Sequence, residues 1–263
     1  NYAKINPLLF LTKEAKMSKK PKTENKKTSN RIINSICIIV IIASLAGLIY
    51  YSLPYIRQYF KKEEVVSIAQ PTAEDAGIDF DALKSVNPDT VGWIKIEGTT
   101  IDYPVVQTDN NEKYLYTTFE GEESQWGAVF LDYTYNFNRV PKAQNSVLYG
   151  HSHNIQKSST FGDLHSYLDE NFFKAHQTIE YDRAGDPGKW EIFSVYKTEA
   201  DYDYRRPDFA GDEDFLSYFQ RIQARSLYKT DVVLEPDDEI LTLSTCVFDM
   251  DDGRLVVTAR KIK

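Results

Sequence analysis

The chain of 263 residues holds two cysteines, Cys37 and Cys246, and only the second lies among residues that could do chemistry. Cys246 closes the apolar run Glu239–Thr245 (EILTLST). Arg254 opens the next run, after seven Asp-rich residues that end in Gly253. If the two runs pair as a hairpin, that loop returns Arg254 to the level of Cys246. A guanidinium beside a thiol can favour the thiolate or donate hydrogen bonds to a developing oxyanion. An ordinary thiol is only about 3% ionised at pH 7, so modest help matters. Taken alone, the pair leaves a bland reading open. A cysteine at a strand end often packs as a small buried hydrophobe, and an arginine at a strand start is usually a solvated edge residue.

A nucleophilic thiol needs an acid–base partner, and four histidines are available: His151, His153, His165 and His176. His151 follows Tyr149-Gly150 at the end of the apolar run Ser146–Tyr149, where the glycine is expected to let the backbone turn sharply. His153 sits two residues on, in a polar loop. His165 and His176 fall on a helical stretch and read as surface or core residues. The His151/His153 spacing has no Cys, Asp or Glu set beside it at metal-ligand distances along the chain, so neither a metal nor a cofactor is expected. Asp249, Asp251 and Asp252 read as a solvated turn, the alternative being a device that repels acidic residues flanking a substrate.

Several short β-like runs must position these residues: 91–97, 101–107, 128–133, 146–149, 178–181, 190–196, 239–245 and 255–262. Gly98-Thr99-Thr100 reads as a hairpin turn. Helical stretches are expected at 80–86, 111–119, 161–176 and 212–226, the last with Phe215, Leu216, Phe219 and Ile222 on one face. Eight or so strands in roughly 180 residues predict a mainly β fold, a closed or nearly closed barrel with added helices.

Ahead of the barrel, Ile32–Leu53 carries no charge. As a helix it covers roughly 33 Å, enough to cross a bilayer core. Lysines and Arg31 flank its N-terminal side and tyrosines its exit, which predicts a cytoplasmic N-terminus and an extracytoplasmic body. A cleaved signal peptide, with Ser44-Leu45-Ala46 as its cleavage site, is the competing reading, but the apolar run continues to Leu53. The expected organisation is a basic cytoplasmic segment at 1–31, a transmembrane anchor at 32–53, a charged stalk at 54–80 and a catalytic domain at 81–263. Met17-Ser-Lys-Lys has the form of a natural start, so residues 1–16 are set aside from fold reasoning. The first 60 residues hold 10 of the 31 basic and 2 of the 39 acidic side chains, leaving the body near −16. Such a body would repel nucleic acid. An unpaired thiol outside the cell is unusual and asks for a reason.

The residues TLSTC at 242–246, with an arginine eight positions after the cysteine and YGH at 149–151, resemble a sortase. The likeness extends to VGWIKIEGTTIDYPVVQ at 91–107, to 111–115, GAVFLDY at 127–133, SVLYGH and FGDLHSYLD, and is similar to class B in particular. The resemblance implies an eight-stranded antiparallel barrel and a cysteine transpeptidase of the Gram-positive surface. Cys246 would then attack a threonine carbonyl in a C-terminal sorting motif of a surface protein. His151 would serve the leaving and entering amines, and Arg254 the oxyanion. The accepting amine would belong to a peptidoglycan precursor or a pilin lysine. Asn111, Leu115, Tyr149, Tyr204 and Ser244 would line the peptide groove, although Leu115 and Tyr149 also suit a plain core. Two rivals stand beside this reading. A papain-type peptidase or cell-wall hydrolase has its cysteine upstream of its histidine, on a helix. A non-enzymatic barrel that binds peptide or glycan would not need the thiol.

Overall fold

The computed structural model describes residues 23–70, 77–137, 143–152 and 159–262; His153 lies outside them. Eight strands form where the apolar runs were read: β1 (Thr90–Lys95), β2 (Asp102–Val106), β3 (Val129–Leu131), β4 (Asn145–Tyr149), β5 (Thr178–Arg183), β6 (Lys189–Glu199), β7 (Ile240–Cys246) and β8 (Gly253–Lys261). They close into a barrel in the order β1-β2-β3-β4-β7-β8-β6-β5. One feature of the expected barrel needs correcting: it is not wholly antiparallel. β2 runs parallel to β3, and β4 parallel to β7. A parallel neighbour needs a crossover rather than a hairpin. The chain supplies one through the 3-10 turn Lys113–Leu115 between β2 and β3. The other carries β5, β6 and the helices α3 (Glu170–Ala175) and α4 (Asp212–Ala224) between β4 and β7.

Strand alternation sorts side chains into two layers. Leu241 and Leu243 of β7 and Leu255 and Val257 of β8 fill the barrel with Ile94, Leu148 and Trp190. Ile240 and Val256, on the opposite face, pack beneath Phe215, Tyr218, Phe219 and Ile222 of α4. The helical face expected at α4 therefore forms, with Tyr218 taking a buried place while Leu216 is only partly covered. Burial on both faces explains why β7 has polar residues that are still satisfied: Thr242 Oγ1 donates to Asn145 Oδ1 at 2.8 Å, and Ser244 Oγ meets Tyr204 OH at 2.9 Å. The Gly98 turn is a tight hairpin with φ of 76°, a conformation that glycine adopts freely.

The chain divides into two compact units, Asn1–Ile56 and Arg57–Lys263. The helix α1 (Thr23–Ala69) begins in the first, where its apolar residues are exposed, and it is long and apolar enough to cross a membrane. Within the second unit, residues 57–69 differ from the expected stalk. They continue the helix, and Val65 and Ala69 are buried against Leu83, Trp93 and Val106. Lys62 donates to Thr100 O at 2.5 Å and lies over the Tyr103 ring. The helix expected at 80–86 forms as α2 (Phe80–Val86); that expected at 111–119 is only the short 3-10 turn, and 161–176 is split into a 3-10 stretch (Gly162–Leu168) and α3, with Asp169 capping the latter.

Candidate active site

β7 and β8 pair with Cys246 directly opposite Arg254, so the hairpin inferred from the sequence forms. Val247 N donates to Gly253 O at 3.0 Å to begin the loop, and Asp252 closes it with φ of 48°. Asp is among the few side chains that tolerate this left-handed region. Arg254 Nη1 donates to the carbonyls of Asp252 (3.1 Å) and Gly253 (2.9 Å), so the loop backbone grips one end of the guanidinium. The aspartates thus shape the turn that holds Arg254, and Asp249 pairs with Lys197 at 2.5 Å.

β4 brings His151 to the same rim. The parallel register sets Tyr149 beside Ser244, and two further steps along both chains set His151 beside Cys246. Hydrogen bonds keep the chains together past the end of β4: Thr245 Oγ1 donates to Gly150 O at 2.7 Å, and Ser152 Oγ to Cys246 O at 2.7 Å. Gly150 is needed for space rather than for a turn. A Cβ there would lie 2.6 Å from the Phe161 ring, and its φ is not left-handed. His151 Nε2 donates to the Leu115 carbonyl at 2.8 Å, which orients the ring and assigns the proton to that nitrogen.

Four of the remaining groove candidates fall into two linked groups, each joining a strand residue to a residue outside the strands. Tyr204 and Ser244 share a hydrogen bond. Asn111 and Tyr149 do not touch each other through one; both donate to Asp132 Oδ2, at 3.0 and 2.7 Å. Burial raises the phenol pKa of Tyr149, and the Asp132 carboxylate raises it further; burial does the same for Tyr204. Leu115 is half-buried and offers its carbonyl to His151. Among the described residues, no group of three or more His, Cys, Asp or Glu side chains is placed to hold a metal.

Near the rim, Ser152 and Asp132 are functional neighbours that the sequence did not single out, and His165 has a different place from the surface or core one expected. Ser152 and His165 both reach the Cys246 carbonyl, His165 Nε2 at 3.1 Å, and burial lowers the His165 pKa against the pull of that bond. His165 therefore serves the nucleophile's own backbone rather than a plain surface or core. Asp132 lies at the end of β3. Its one sequence signal is an acid that directly ends the apolar run AVFL.

The arrangement provides a thiol, a guanidinium directly across the hairpin and an oriented imidazole just past the end of the neighbouring strand. The sortase domain family matches residues 94–262, which include all three. Sortase B of Listeria monocytogenes is 36% identical over 182 residues, covering 68% of this chain and 72% of the relative. The chain belongs to the class B sortases. Sortases of this class are cysteine transpeptidases that anchor surface proteins. A crystal structure from Bacillus anthracis described as similar to sortase B superposes with a TM-score of 0.70 at 36% identity, covering 80% of this chain and 97% of that one. A Staphylococcus aureus sortase B–substrate complex does so with 0.64 at 35% identity, covering 70% and 84%. For this sortase, the strand-end cysteine is thus set in a fold shared with known members.

Proposed function

We propose that this sortase joins surface proteins to a cell-surface amine through a thioacyl intermediate on Cys246. The observation that supports the reading is the strand register, which sets Cys246 opposite Arg254 and Tyr149 beside Ser244, with His151 two residues past the end of β4. The Cys246 thiol passes its proton to His151 as Sγ attacks the threonine carbonyl of a C-terminal sorting motif. The tetrahedral oxyanion forms beside the Arg254 guanidinium, whose fixed positive charge stabilises it. His151 gives a proton to the departing amine as the C–N bond breaks, leaving the thioester. An incoming amine, from a peptidoglycan precursor or a pilin lysine, then attacks the thioester carbonyl. His151 takes its proton and the thiolate leaves. Asn111, Leu115, Tyr149, Tyr204 and Ser244 hold the extended peptide. The substrate complex of the Staphylococcus aureus relative supports a peptide-type substrate on this fold. Residues 32–53 anchor the enzyme with its N-terminus in the cytoplasm, and the catalytic domain at 81–263, with the helical turns packed on it, works outside.

The test is ligation. The full chain in detergent is given Pro/Thr-containing pentapeptide substrates and an amine nucleophile, and the products are read by mass spectrometry. A ligated product together with a trapped acyl-enzyme at Cys246 is expected, and Cys246→Ala should abolish both. Cleavage that never yields a ligated product would instead make the protein a hydrolase.

A further inference from the structure

We propose that Asp132 is a positioning residue that locks Asn111 and Tyr149 into one rigid wall of the peptide groove. The inference rests on the sortase reading of this site and adds to it a residue which that reading does not use. Asp132 is 5% exposed, and its carboxylate is fully engaged. Oδ1 accepts from the backbone N–H of Thr134 at 2.9 Å and from its hydroxyl at 2.6 Å. Oδ2 accepts from Tyr149 OH at 2.7 Å and Asn111 Nδ2 at 3.0 Å. An ionised carboxylate has about four acceptor positions, so these four donors saturate it.

The consequence for Asn111 follows from donor and acceptor types. Its Nδ2 faces a group that can only accept, and its Oδ1 accepts the Tyr133 N–H at 3.0 Å, a group that can only donate. The amide therefore has one orientation, with one N–H spent on Asp132 and the other left for a peptide carbonyl. The Tyr149 hydroxyl hydrogen is likewise spent on Asp132, so its oxygen faces a ligand as an acceptor. The Tyr149 ring is fixed against Phe130, with centroids 5.2 Å apart, and its backbone lies opposite Ser244, two residues before the nucleophile. One carboxylate thus joins a loop residue between β2 and β3 to a residue of β4 and sets the hydrogen-bond polarity both offer. Pre-set polar groups lower the ordering cost of binding an extended peptide. Asp132 does not touch the reacting atoms, so its effect belongs in KM.

The experiment uses the full chain in detergent with the pentapeptide best processed from a Pro/Thr-containing library. Asp132→Asn places an N–H₂ where at least one neighbour needs an acceptor. It should raise KM about tenfold, the scale of a lost hydrogen bond to a charged group, with kcat changed less than about twofold. The rate of Cys246 alkylation by iodoacetamide should match wild type. Tyr149→Phe and Asn111→Ala should be non-additive in KM, because the two side chains communicate through Asp132; this cycle decides the matter even if Asp132→Asn does not fold. A fall in kcat at unchanged KM, or additive single changes, would overturn the proposal while leaving the transpeptidase reading intact. A wild-type chain that turned over no peptide would overturn both.

Discussion

Arg254 and His165 show how differently two basic side chains are held beside Cys246. Arg254 is gripped at Nη1 by two loop carbonyls, so its remaining donors are held in a defined direction. Arg254→Ala should lower kcat by roughly 10²-fold to 10³-fold, the usual effect of losing an oxyanion donor. Arg254→Lys should recover little of it, because a point charge cannot reproduce the fork. Steady-state kinetics with the pentapeptide substrate would check both. His165 acts on the backbone of Cys246, and burial lowers its pKa. A histidine with a depressed folded pKa favours folding most when neutral. Its contribution is present above the ordinary histidine value of about 6.5 and is lost as pH falls through the folded value. Melting curves at pH 7.5 and 5.5 should therefore differ less in His165→Gln than in wild type. An equal difference in the two proteins would remove His165 as a source of acid sensitivity.

At the scale of elements, the pieces that could be read in the sequence were those with local signals. Alternating apolar runs marked all eight strands, and the Cys246–Arg254 hairpin followed from a short loop closed by Gly253. Strand direction at β2/β3 and β4/β7 was not legible, because a crossover leaves no local pattern. The same limit hid Asp132, Ser152 and His165: each gains its role from a partner on another element. Residues 57–69 were read as a stalk on their charges, yet the apolar residues between those charges make a packing face. Burying Val65 and Ala69 contributes about 2–3 kcal/mol. A chain begun at residue 77 should melt about 5–10 °C below one begun at 57, as calorimetry would show; equal melting points would restore the stalk.

Viewed whole, the molecule combines a helix fit to cross a membrane with an acidic barrel domain. The parallel pairing of β4 with β7 has a consequence for how that domain comes into being. Gly150 and Thr245, neighbours in the ladder that seats the histidine beside the cysteine, are 95 positions apart in the chain. Contacts so distant in sequence form late, since a long loop must close before they return any free energy. While the chain is being made, His151 exists for most of that interval before Cys246 has been added. Cys246 and Arg254 arrive together within the last two strands. The polypeptide thus adds Cys246 and Arg254 only after the other six strands of the barrel have been made, and an unfinished chain lacks the assembled rim.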